Sequence, residues 1–198
     1  MPRRSSRAKS RHAHAAEKKI CDAGLSLAVR HGWDKVTLEQ IARAVKIPAA
    51  DVRKRFADKN QVLAAIVHNM GTPAGAKRAQ GTPHDQLFEA MMARFDALQE
   101  HRAGVLAVCE AVRRDPALVR YLIPAQWRAI GAIAATAGLA EMEGSRRPLT
   151  QAALLGIYYW ALCGWMRDRT PDMAKTMAGL DRGLRVAGKV AAMMGRRI

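Results

Sequence analysis

The chain has 198 residues, with 33 lysines and arginines against 17 acids, a net charge of +16 and 49% hydrophobic residues, so a genuine core can form and carry the basic charge on its surface. Cys21, Cys109 and Cys163 are far apart and lack C-x-x-C spacing, which argues against a disulfide framework or a zinc site and fits a reducing cytoplasm. The longest apolar run, Ala152 to Met166, has 15 residues, short of the roughly 18–20 that cross a bilayer, so no membrane span is expected.

Residues 1–70 hold 15 basic and 6 acidic residues, more than half of the net charge in about a third of the chain. Residues 1–14 read as a basic arm that buries too little apolar area to order itself. Its Arg3, Arg4, Arg7, Lys9 and Arg11 are candidates for contacts to the DNA backbone, with counterion release supplying the affinity. An Arg- and Ser-rich, acid-poor start is also the composition of an organellar targeting segment.

Residues 15–70 are predicted as a helix-turn-helix domain. Ile20, Ala23, Gly24 and Leu27 recur at helical spacing up to Arg30, and His31-Gly32 ends that helix. Thr37 and Gln40 form a capping box that opens a short second helix ending near Val45. Pro48 breaks the chain, because proline disfavours helical geometry in the residue before it, and a third helix follows from Ala49 to Phe56. Asp58 and Gln61 form a second box, opening a fourth helix to about Met70.

Two short helices joined by a tight turn, the second basic on its outer side, are a helix-turn-helix arrangement. Val52 and Phe56, four apart, can pack on Ile41 and Val45, which turns Ala50 and Lys54 outward with Asp51 and Arg53 on the flanks. Lys54 can reach a guanine edge or a phosphate, Asp51 can accept from cytosine or order Lys54, and small Ala49 and Ala50 allow close approach. Thr37 and Lys59 lie at helix N-termini that favour a phosphate. The DNA-binding candidates are therefore Thr37, Lys46, Ala49, Ala50, Asp51, Arg53, Lys54, Arg55 and Lys59.

Residues 71–83, rich in glycine and proline, read as a linker, and 84–198 as a helical ligand-binding and dimerisation domain. Helices are expected at about 84–101, 103–113, 116–140, 149–168 and 172–194, giving an all-α chain of about nine helices. Met91, Met92, Phe95, Leu98, Cys109, Tyr121, Trp127, Tyr158 and Tyr159 are candidates to line an apolar pocket, while the same stripes also suit a plain core. Cys109 and Cys163 read as inert core residues. The run from Ala152 to Met166 is apolar on every side, so one side is expected to meet a second subunit. Gly156, Trp160, Gly164, Leu180 and Leu184 are the candidates for that homodimer interface.

The stretch ICDAGLSLAVRHGWDKVTLEQIARAVKIPAADVRKRFADKNQVLAAIV, residues 20–67, resembles the DNA-binding domain of tetracycline-repressor (TetR) family regulators in its Gly32-aromatic pair, Thr37 cap, Ile41-Ala42, Phe56 and Lys59. The resemblance implies an all-helical homodimer with an N-terminal reading head, a palindromic double-stranded DNA operator, an apolar small-molecule or lipid effector, and repression as the default outcome. Three positions depart from that family: Lys46 replaces its usual turn glycine, Pro48 its serine cap, and Arg53 its phosphate-contacting tyrosine. Lys46 is expected to take backbone geometry suited to a side chain. A weaker resemblance, through HGW at 31–33 and TPDMAKTMAGLDRGL at 170–184, is to the lipid-binding proteins of coenzyme-Q biosynthesis, and it implies an isoprenoid-binding accessory protein on the same fold. No nucleotide loop, serine nucleophile elbow or H-E-x-x-H is present, and the six histidines lack metal-ligand spacing, so no catalytic residue, metal or cofactor is expected.

Overall fold

The structure is a computed structural model that describes residues 3–70, 81–139 and 146–193, with side chains from Ala13 onward. Among these residues the chain forms nine α-helices and no strand: α1 (Arg3–His31), α2 (Leu38–Val45), α3 (Ala49–Arg55), α4 (Lys59–Asn69), α5 (Pro83–Glu100), α6 (Arg102–Arg114), α7 (Val119–Thr136), α8 (Arg146–Arg167) and α9 (Ala174–Met193). Two single turns of 3-10 helix, Trp33–Lys35 and Pro116–Leu118, precede α2 and α7. Helix α1 reaches back to Arg3, into the segment read from sequence as an unordered arm. No glycine or proline interrupts the sequence from Arg3 to Ala23, so nothing in it breaks the helix. The side chains of Arg3, Arg4, Arg7, Lys9 and Arg11, and all of 71–80 within the expected linker, lie outside the described residues.

The helices gather into two compact units, Met1–Asn69 with Glu100–Ala125, and Met70–Gln99 with Gln126–Ile198. In the first, α1 packs against α2, α4 and α6, and α2 against α3. Ile20, Ile41, Val52, Val62 and Leu63 are fully enclosed at its centre. Gly104 of α6 lies so close to α1 that a Cβ there would come 2.7 Å from that of Leu25. This contact places α6 with the N-terminal helices, whereas the sequence reading put all of 84–198 into one domain.

In the second unit α5 opens on a reciprocal cap that the sequence reading passed over: the Asp85 amide donates to Thr82 Oγ1 at 3.2 Å and the Thr82 amide to Asp85 Oδ2 at 3.0 Å. Helices α8 and α9 form a hairpin. Its corner is organised by the buried carboxylate of Asp168, which accepts from the amide and hydroxyl of Thr170 at 3.1 and 2.7 Å and from those of Thr176 at 2.8 and 2.9 Å. Burial opposes this charge, but the four hydrogen bonds outweigh it and hold the carboxyl well below its ordinary range.

Candidate nucleic-acid interface

The reading head is built on its buried side first. Val52 of α3 and Phe56 just after it are buried with Ile41 of α2, and Val45 is half-buried. With that face inward, Ala50, Asp51, Arg53, Lys54 and Arg55 are exposed, Ala49 is half-exposed, and Lys46 stands exposed in the turn. Helix α2 starts at the capping box read from sequence: the Gln40 amide donates to Thr37 Oγ1 at 3.1 Å and the Thr37 amide to Gln40 Oε1 at 2.8 Å. Thr37 is exposed at a helix N-terminus, and its hydroxyl also bonds the Glu39 carboxyl.

The turn between α2 and α3 corrects one expectation. Lys46 occupies the left-handed region itself, at φ 57° and ψ 40°, and its amide donates to the carbonyls of Ala42 and Arg43. The chain therefore keeps glycine geometry at a lysine, at a cost of roughly 1–2 kcal/mol. Pro48 provides no side-chain cap, and α3 begins from its carbonyl, which accepts from the Asp51 amide at 2.9 Å.

The outer charges are ordered by two acids. Lys54 Nζ meets Asp51 Oδ1 at 3.0 Å, and Arg53 forms an ion pair with Glu39 of α2. That hydrogen bond from Arg53 holds the Glu39 carboxyl below its ordinary value. Arg55 donates to the carbonyl of Ala13 on α1 at 3.1 Å. Lys59 is turned into the domain: its Nζ donates to the carbonyls of Trp33 and Asp34 at 3.0 and 2.5 Å, and partial burial lowers its pKa. It fastens α4 to the Trp33 turn, a task that its place at a helix N-terminus did not reveal. The second box is also altered. Asp58 Oδ1 accepts from the amides of Asn60 and Gln61, while the Gln61 side chain accepts from Ala57 rather than from Asp58.

Residues 20–66 match the family model described as bacterial regulatory proteins, tetR family. Over these residues the chain matches the tetR-family model, and its fold is that of solved TetR-family structures. The TetR transcriptional regulator of Nitrosomonas europaea has a similar structure, with TM-score 0.68 and 20% identity, over 86% of this chain and 97% of that one. A TetR-family regulator of Streptomyces coelicolor gives TM-score 0.60 and 20% identity, over 91% and 83%. One from a Rhodococcus species gives 0.55 and 16%, over 87% and 94%. No curated protein sequence is significantly similar. Nothing in these findings favours the quinone-biosynthesis resemblance.

Beyond this TetR domain, the candidate pocket residues divide between the two units. Cys109 and Tyr121 belong to the first, and Met91, Met92, Phe95, Leu98, Trp127, Tyr158 and Tyr159 to the second. Met91, Phe95, Leu98 and Tyr158 are buried, with the Phe95 and Tyr158 rings stacked at 5.4 Å. Sequence reasoning named Tyr158 but missed Arg94 and Gln126. Arg94, 1% exposed, sets its guanidinium 5.3 Å from the Tyr158 ring and donates to Gln126 Oε1 at 2.6 Å, and the Tyr158 hydroxyl is buried without a hydrogen-bond partner among the described residues.

The interface candidates divide as well. Gly156 and Gly164 face open space, and Trp160 is 54% exposed. Leu180 and Leu184 are instead buried within their own chain, on the inward row of α9 with Thr176 and Ala191, whereas Val186 and Val190 are exposed on the other side. Cys163 is exposed, not core, whereas burial of the Cys21 thiol pushes its pKa up to about 12. Among the described residues no helix is long and apolar enough to cross a membrane, and no group of three side chains could hold a metal ion.

Proposed function

We propose that this chain is a dimeric, sequence-specific DNA-binding regulator whose α3 enters the major groove. The observation that carries the reading is the exposed row Ala50, Asp51, Lys54 on a helix whose opposite side is locked by Val52 and Phe56, within a TetR-family domain. Lys54, aimed by Asp51, reads a base edge, and Thr37, Lys46 and Arg53 hold phosphates on either side of it. Two heads then address half-sites about one helical turn, roughly 34 Å, or a multiple of it apart. The reading assigns the protein to the cytoplasm and gives it no catalytic activity.

The second copy docks on the outward face of α8 and α9. Six of the nine large hydrophobic side chains exposed among the described residues belong to these two helices: Leu149, Trp160, Met177, Val186, Val190 and Met193. Apolar side chains collected on one helical hairpin are what a bundle with a second copy buries. An apolar effector carrying a polar group is supported by the buried Tyr158 hydroxyl beside Arg94, because a hydroxyl enclosed without a partner gains from any ligand that bonds it. Repression relieved by that effector is the mode of action we assign.

Salt titration tests the DNA reading. With about 6–10 phosphates neutralised, affinity for a duplex should fall about 10³–10⁵-fold between 50 and 200 mM salt while preference for one palindrome persists. Affinity that ignores both salt and sequence would remove the reading.

A further inference from the structure

We propose that Glu39 sets how tightly the reading head holds DNA: in the free protein its carboxylate fills the phosphate seat at the start of α2, and it must leave before a duplex can use that seat. The inference rests on the regulator reading above and concerns a residue to which that reading gives no task.

Glu39 follows Leu38 in the first turn of α2, where the helix dipole and the open amides favour an anion. Three donors meet its carboxylate: the Arg53 guanidinium, its own backbone amide and the Thr37 hydroxyl. Together they hold the carboxyl below its ordinary value, Arg53 contributing most. A guanidinium, an amide and a hydroxyl gathered at a helix N-terminus are also the donors that take a phosphate of the DNA backbone. In the free protein the chain supplies the anion itself.

The origin of the partners matters. Lys54 pairs with Asp51 inside its own helix, whereas Arg53 crosses from α3 to meet Glu39, 14 residues away on α2. Arg53 is therefore drawn to the start of α2, with its charge answered before DNA arrives. Both side chains remain open to solvent, Arg53 at 61% and Glu39 at 44% exposure. An exposed ion pair is held weakly, so a phosphate pressed against it by the rest of the head displaces the carboxylate and inherits its donors. The displacement costs affinity for every duplex alike, because a phosphate carries no sequence information. On a chain of net charge +16, that cost restrains binding to DNA at large.

A double-mutant cycle of Glu39→Gln and Arg53→Gln in the full chain tests the assignment, read by fluorescence anisotropy on a pair of duplexes of unrelated sequence. Glu39→Gln keeps the size of the side chain and removes its charge. At about 100 mM salt it should tighten binding to both duplexes by about tenfold, and it should steepen the fall of log affinity with log salt by about 0.9, as one more neutralised phosphate does. In the Arg53→Gln background the main donor that Glu39 occupies is gone, so the same substitution should gain about threefold or less. The thermal midpoint of Glu39→Gln without DNA should not rise, which separates tighter binding from a better fold. Binding by Glu39→Gln no tighter than the parent's would overturn the proposal. So would an equal gain in both backgrounds, which is what simple repulsion between an acid and DNA gives. A parent chain that binds neither duplex would instead remove the regulator reading, and this proposal with it.

Discussion

Lys46 holds a left-handed backbone that only glycine adopts without cost, so its side chain is kept at the expense of stability. Replacing it with glycine should raise stability by about 1 kcal/mol, a midpoint increase of roughly 2–4 °C by calorimetry, and should weaken binding to all duplexes through the lost phosphate contact. Lys54 and Lys59 part company at the same scale. Lys54→Ala should relax base preference without moving the midpoint, since the side chain is exposed and bonded only to Asp51. Lys59→Met should lower the midpoint, because the Asp34 carbonyl loses its ammonium donor and the Trp33 carbonyl keeps only the Val36 amide. Sequence alone assigned both lysines to DNA, Lys54 to a base edge or a phosphate and Lys59 to a phosphate. Their spacing in the motif was visible, but the direction of a flexible four-carbon stem is decided by what packs around it.

At the scale of elements, the helices announced themselves through caps and breakers: Thr37 with Gln40, Asp58, Pro48 and Gly32 all stand where the chain turns. Helix α2 falls at Leu38–Val45 as the Thr37 box implies. Two features were harder to read. The inward and outward rows of α9 both contain apolar residues, so Leu180 and Leu184 could be told from Val186 and Val190 only by burial. The corner between α8 and α9 depends on Asp168 meeting Thr176, eight residues away, a contact that no capping pattern encodes. Because the folded carboxyl titrates below its unfolded value near 3.8, its contribution is complete above that pH and is lost as pH falls through the folded value. Asp168→Asn should therefore cost about 2 kcal/mol at neutral pH and flatten the loss of stability that acid titration of the parent shows below about pH 4. Equal acid sensitivity in the two proteins would remove Asp168 from that account.

For the whole molecule, the surface divides into a basic reading head and an apolar hairpin face, and each asks for a partner. The +16 charge pointed to a polyanion before any helix was placed, because it was concentrated near the helix-turn-helix. The proposed dimer face was legible only as the all-round apolarity of 152–166, and which part of it lay outward required the packing of α8 on α9. Val186→Glu should turn a dimer into a monomer by sedimentation velocity with little change in helicity, since Val186 is 56% exposed and its own chain does not need it. The resulting monomer should retain affinity for a half-site and lose the avidity that couples two heads.

The most direct test of the central claim is selection and sequencing of a randomised duplex library bound at about 150 mM salt, where much of the non-specific phosphate attraction is screened. The account predicts enrichment of one palindrome, relaxed at a defined pair of symmetric positions by Lys54→Ala. Recovery of the library without enrichment, or of the same palindrome at the same strength from Lys54→Ala, would contradict it.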